Sequence, residues 1–176
     1  MSASRLEPQF YDRDTVELAK SLLGKILTRA GDGVMRRCRI VEVEAYVKND
    51  PANHAYRGMT PKNRSMFSKP GTLYVYMVHN NFCMNIVRGG GEAVLIRAAQ
   101  PLENINGETR GPGRLCRTLG IDRGFDGLDL CSSDLLWLED DGYVVPKIGV
   151  SRRIGVSKGK TRLLRFYIVG SRWVSR

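Results

Sequence analysis

The chain has 176 residues, with 28 Lys plus Arg against 18 Asp plus Glu and a formal net charge of +10. That length suits one domain rather than two, and a hydrophobic content of 42% supports a real core, which excludes a disordered tail. Such a charge surplus costs self-repulsion in the compact state; with most basic residues in loops, it favours a nucleic-acid partner over mere solubility by about two to one.

The start, Met1 to Phe10, lacks the apolar region of a signal peptide, and no apolar run reaches membrane-spanning length. The expectation is therefore a soluble intracellular protein, cytoplasmic or at the nucleoid or nucleus, with no membrane partner. Asp14 or Thr15 can cap a helix with Val16, Leu18, Ala19, Leu22 and Leu23 as its apolar stripe and Gly24 as its stop. A short strand over Lys25–Arg29, a turn at Gly31-Asp32-Gly33 and a return strand over Val34–Tyr46 follow. The stretch from Val47 to Pro70 is too long for a plain connector and reads as a functional loop. Leu73–Val78 and Phe82–Val87 form a hairpin about His79-Asn80-Asn81, and Gly89-Gly90-Gly91 turns into Ala93–Ala98. A short helix over Arg114–Leu119 stops at Gly120; strands through Trp137, Tyr143–Val150 and Leu163–Val169 complete the chain. The expected fold class is α+β: one domain over residues 1–176, a curved, mostly antiparallel β-sheet flanked by a few helices.

Cys38, Cys83, Cys116 and Cys131 form no CxxC pair, and His54 and His79 are the only histidines, so no metal or cofactor is expected. Cys38 and Cys83 sit in apolar runs and read as buried thiols in a reducing compartment. The strand Arg39–Tyr46 carries two carboxylates among apolar residues, and a period of two puts Glu42, Glu44 and Tyr46 on one face. Buried carboxylates are expensive unless paired. Both glutamates could simply pair with arginines, which the pattern alone slightly favours, or one could line a cleft as a general base beside an aromatic platform. Tyr74 and Tyr76 also share a face. Arg57, Lys62, Arg64 and Lys69 form one basic strip, and Arg152, Arg153, Lys158, Lys160 and Arg162 another; either could track phosphates or be solvated surface.

Seven blocks in register resemble the alkyladenine (3-methyladenine) DNA glycosylases of the human and bacterial type: Arg39–Tyr46 with His54, Thr60–Arg64, Met66–Tyr76, Phe82–Asn85, Val94–Pro101, Gly111–Asp122 and Leu164–Ser175. The resemblance implies a monofunctional, metal-independent glycosylase, monomeric, that flips damaged purines out of double-stranded DNA. It implies that Glu44 activates water, that Arg97 lies near the water and the lesion sugar-phosphate, and that Tyr46 and Tyr76 stack on the flipped base. His54 is then on the pocket wall, Asn85 crowds the 2-amino group of guanine, and Arg64, Lys69, His79, Asn80 and Asn81 contact DNA. Two stretches depart from the family pattern. The hairpin tip has His79-Asn80-Asn81 where relatives carry a tyrosine wedge, and is one residue shorter. The segment between Glu103 and Gly111 is also short. A non-catalytic nucleic-acid-binding domain is the rival reading, and Glu44 beside an aromatic platform discriminates against it. A glycosylase with lyase activity would need an amine nucleophile.

Overall fold

The computed structural model describes residues 2–176. In chain order the elements are β1 (Ser4–Arg5), α1 (Pro8–Tyr11), α2 (Thr15–Leu22), β2 (Ile26–Gly31), β3 (Val34–Tyr46), β4 (Leu73–Val78), β5 (Asn81–Gly89), β6 (Glu92–Glu103), α3 (Pro112–Leu119), β7 (Leu136–Asp140), β8 (Ile148–Ser151) and β9 (Arg165–Ile168). The strands pair antiparallel in the order β1-β7-β2-β3-β6-β5-β4. Beyond the reach of β2, the later part of β3 is flanked instead by β9, which carries β8. This is the mostly antiparallel α+β fold that the sequence led us to expect. No helix among the described residues is long and apolar enough to cross a membrane.

Local chemistry explains the elements. Asp14 accepts the backbone N–H of Val16 and Glu17 and so caps α2, whose Leu18, Ala19 and Leu22 are buried against β3 and β6. Asp32 and Gly33 both have positive φ, as a two-residue hairpin turn between right-twisting strands requires. The β4–β5 hairpin is equally tight: Val78 pairs with Asn81, so only His79 and Asn80 form the turn, both at positive φ. Asn81 is thus the first residue of β5 and not part of the turn. Pro112 opens α3 and Gly120 closes it in the left-handed conformation.

The strand expected over Tyr143–Val150 is confined to Ile148–Ser151. Upstream, the side chains of Asp140 and Asp141 accept the N–H groups of Gly142 and Tyr143, offering the backbone an alternative to a ladder, and Pro146 supplies no donor. β1 and α1 are too short for hydrophobic periodicity to show.

From Cys38 to Ala45, β3 is buried on both faces. Its register with β6 steps once between Arg37 and Cys38 and twice more around Glu42: Ile40 faces Ala99, Glu42 faces Ala98 and Val43 faces Ile96. Val41 and Arg97 are the extra residues, one on each strand, so the latter two steps cancel. Bulges re-aim side chains beside active sites, and this pair sits where the two glutamates and Arg97 meet.

The fold also holds a buried polar group that it does not satisfy. Tyr11 is fully buried with its ring against Gly71, and its hydroxyl has no hydrogen-bond partner among the described residues. Tyr11→Phe should therefore raise stability by about 1 kcal/mol, or roughly 2–4 °C in the thermal unfolding midpoint. An unchanged or lower midpoint would mean that the hydroxyl is satisfied.

Candidate active site

Glu42 and Glu44 project from β3 toward one arginine. Arg97 of β6 donates from Nε to Glu42 at 3.0 Å and holds Nη1 3.3 Å from Glu44 Oε1. Both carboxylates are fully buried. Their remaining partners differ. Glu42 also accepts from Arg165 Nε at 2.7 Å, and from the backbone N and hydroxyl of Ser175 at 2.6 and 2.8 Å. Glu44 accepts from the backbone N–H of Ile154 at 2.7 Å and from the Tyr46 hydroxyl at 2.9 Å. Burial pushes the Glu44 carboxyl above the usual carboxylate range, with Arg97, the Ile154 N–H and the Tyr46 hydroxyl pulling the other way. Tyr46 is itself held far in its neutral form by burial and by the carboxylate it donates to.

A cleft of about 490 Å³ has walls that include Tyr46, His54, Tyr76, Asn85 and Arg97, with Ile154 and Lys158; Glu44 does not line it but lies behind Tyr46, Arg97 and Ile154, to which it is bonded. The sequence blocks that carried these residues are far apart, and the sheet brings them together. His54 stacks edgewise on Tyr76, with centroids 4.3 Å apart, and its Nδ1 lies 3.0 Å from the Tyr74 hydroxyl. His54 stands at the mouth, but desolvation on the side facing the tyrosines lowers its pKa, which favours the neutral ring. Burial raises the Tyr74 hydroxyl to about 12. Asn85 is buried on β5, its amide donating to the Tyr74 carbonyl, which fixes its orientation at the cleft.

The residues expected to contact DNA lie outside this cleft. His79 and Asn80 are exposed at the hairpin turn, beside Met77 and Val78, which are also exposed. Asn81 accepts from Arg117 Nη2 at 2.6 Å and packs so closely on Gly113 that a Cβ there would lie 2.7 Å away, which ties the hairpin to α3. Arg64 is exposed on a 3₁₀ turn (Arg64–Phe67), and Lys69 is exposed but 2.8 Å from Asp129. A second groove of about 470 Å³ adjoins the cleft across His54, Tyr74 and Tyr76, and Lys62 and Arg123 line it.

One basic strip is corrected at a single residue. Arg152, Lys158, Lys160 and Arg162 are exposed, but Arg153 is buried in an ion pair with Asp50 and is no phosphate contact. Sequence reasoning also missed Asp50, Ile154, Arg165 and Ser175. Ile154 acts through its backbone, which no side-chain pattern reveals. Among the described residues, no three His, Cys, Asp or Glu side chains converge as a metal-ligand set.

A buried carboxylate behind an aromatic-walled cleft, on a basic protein, defines a class that the comparisons make specific. Residues 9–172 match the model of the methylpurine-DNA glycosylase (MPG) family. A protein of Mesorhizobium japonicum, provisionally named 3-methyladenine DNA glycosylase, is 46% identical over 92% of this chain and 86% of its own length. The DNA-3-methyladenine glycosylase of Mus musculus is 38% identical over 98% of this chain, which spans 62% of the mouse protein. An Anaeromyxobacter dehalogenans protein, named provisionally like the first, is 44% identical over 98% of this chain and 87% of its own. The chain belongs to the methylpurine-DNA glycosylase family, and with it to the hydrolases that act on N-glycosyl bonds in DNA.

Glu42 is the strand's structural anchor. Glu42→Gln would turn an amide N–H₂ toward groups that all donate and leave two arginines short of a counter-charge. We expect a loss of at least about 3 kcal/mol in urea unfolding, as for other broken buried ion pairs. A loss below about 0.5 kcal/mol, the scale of a surface substitution, would contradict this assignment.

Proposed function

We propose that the protein excises alkylated purines, 3-methyladenine and 7-methylguanine foremost, from double-stranded DNA, with water as the nucleophile and Glu44 as its base. The observation that carries this reading is the Glu44 carboxylate, buried behind the cleft wall and bonded to Tyr46, with its pKa raised. A base stacked in a duplex must be extruded to reach such a pocket, at a cost of a few kcal/mol that is smaller for damaged bases. The cleft's volume lies within the roughly 300–1,000 Å³ typical of small-molecule sites. Tyr46 and Tyr76 offer aromatic faces to a planar purine, and Asn85 meets its edge.

Alkylation at N3 or N7 makes the purine cationic and a good leaving group. The C1′–N9 bond breaks with its electron pair going to the base, which departs neutral, while positive charge develops on the sugar. Glu44 takes a proton from water as the oxygen bonds to C1′, and the buried carboxylate stabilises the developing cation. A raised pKa serves this step, because a base poised nearer neutrality takes the proton more readily. Arg97 orients Glu44 and balances its charge while facing the cleft. Neutral lesions such as hypoxanthine and ethenoadenine also need a proton on the leaving base. Among the described residues we assign no acid to that step, so they should be the poorer substrates.

DNA is held by the charged surface around the cleft. The exposed His79-Asn80 turn, braced on α3 through Asn81, occupies the gap left by the flipped base, and Arg64 and Lys69 meet phosphates. A phosphate that recruits Lys69 must compete with Asp129. The enzyme acts as a monomer and without lyase chemistry.

The test is base release from duplexes carrying 3-methyladenine, 7-methylguanine, hypoxanthine or ethenoadenine. The first two should be released faster, with no borohydride-trapped adduct. Glu44→Gln should lower single-turnover excision by about 10²–10⁴, as for a lost general base, while binding of lesion DNA is kept. In the unaltered protein the rate should fall as pH drops through the Glu44 pKa. That acid limb should lie above the ~4.3 of an unperturbed glutamate. The raised pKa means that the folded state holds its proton to higher pH, so stability is lost over the window in which activity is gained. Substantial turnover by a folded Glu44→Gln protein would remove Glu44 from the mechanism.

A further inference from the structure

The loop after β8 reaches the catalytic carboxylate through one backbone N–H, that of Ile154. Ile154 is 40% exposed, so its own side chain is a weak anchor for the loop. The preceding residue is the stronger one. The Arg153 side chain is fully buried, 103 positions from its partner Asp50, whose side chain is equally buried. The guanidinium grips both Asp50 oxygens, one through Nη1 and the other through Nη2 at 3.0 Å, and Nη1 also donates to the Ala45 carbonyl at 3.0 Å. Its Cζ lies over the Tyr46 ring, 4.7 Å from the centroid. Arg153 Nε has no hydrogen-bond partner among the described residues. A clamp needed only for stability would be better served by apolar residues, because a buried ion pair seldom repays its desolvation.

Building on the function proposed above, the geometry points to Arg153, held by Asp50, as a positioning residue that aligns both groups bonded to Glu44: the Tyr46 hydroxyl, through its ring, and the Ile154 N–H, through the chain. Its side chain is fully buried and does not line the cleft. Ala45, whose carbonyl it binds, lies between Glu44 and Tyr46, so one guanidinium registers the loop against the catalytic strand at the needed place. A lysine could keep the charge but not the fork or the flat face.

Displacing the Ile154 N–H removes a donor to the carboxylate form of Glu44, so its pKa must rise and the acid limb of excision must move to higher pH. The other charged or titratable groups near Glu44 are Glu42, Tyr46, Arg97, Tyr76, Cys83 and Arg153 itself; Arg153→Lys keeps the positive charge, and a displaced Tyr46 hydroxyl removes a second donor to the carboxylate, which moves the limb the same way. Arg153→Lys should lower single-turnover excision of 7-methylguanine about 10- to 100-fold, the scale of a misplaced catalytic group, with affinity for an abasic-analogue duplex little changed. The acid limb should shift upward. A purely structural clamp would lower the unfolding midpoint but leave the rate per folded molecule and the limb in place. If Arg153→Lys does not fold, Asp50→Asn, which keeps an acceptor for one branch of the fork, should shift the rate and the limb the same way. Amide exchange of Ile154 in the unaltered protein gives a reading independent of any variant and of activity: it should be protected. A freely exchanging Ile154 amide, or a folded variant with unaltered rate and limb, overturns the proposal. If the unaltered protein releases no base while the Ile154 amide is protected in it and loses that protection in Arg153→Lys, the glycosylase reading fails and the clamp stands.

Discussion

Two carboxylates two residues apart on a strand buried on both faces are the constraint around which this molecule is arranged. Each must be compensated locally, since a buried unpaired charge is among the costliest features a fold can carry. Arg97 serves both and cannot satisfy either alone. The two environments then diverge. Glu42 collects two arginines and both donors of Ser175, which spends its capacity on holding the structure. Glu44 receives one guanidinium, one backbone N–H and one phenol, and desolvation prevails. One strand thus carries a carboxylate saturated by structural partners and a less fully compensated one, proposed above as the base, distinguished by what surrounds them.

Much of the topology can be traced to that compensation. β9 replaces β2 beside the second half of β3, bringing Arg165 to Glu42. Beyond β9 the chain continues until Ser175 closes the same cluster, so the C-terminal segment is tied to the middle of the sheet. The paired register steps at Val41 and Arg97 turn the arginine toward the glutamates without disturbing the register beyond. The loop after β8 supplies the last donor to Glu44. Packing, register and charge therefore meet at one point, and the cleft opens beside it.

The sequence carried the parts of this account that depend on local pattern. The Asp14 cap, the turn at Asp32-Gly33 (Gly31, expected in it, is the last residue of β2 and pairs with Val34) and the alternation in β4 and β5 are legible because propensity and periodicity agree there. Glu42, Glu44 and Tyr46 could be placed on one face, and the family blocks singled out Tyr46, His54, Tyr76, Asn85 and Arg97, which line one cleft, and Glu44, which is bonded to Tyr46 and Arg97 behind it. What was not legible is long-range. Arg153 looked like one more surface cation in a basic loop, since nothing nearby in sequence announces Asp50 as its partner. The hairpin tip was read one residue too long because asparagine suits a turn and a strand edge alike. Tyr143–Lys147 reads as a strand by composition, but two aspartates and a proline redirect its backbone.

Burial, only partly offset by its donors, raises the Glu44 pKa and so makes it a stronger base than a free glutamate, as the proposed role requires. A carbon-13 NMR titration of the Glu44 carboxyl in the unaltered protein, assigned by comparison with Glu44→Gln, measures this without reference to turnover. The account predicts a midpoint clearly above the ~4.3 of a free glutamate. A midpoint at or below that value would mean that Arg97, Tyr46 and Ile154 outweigh desolvation, and that Glu44 is too weak a base for the role assigned to it.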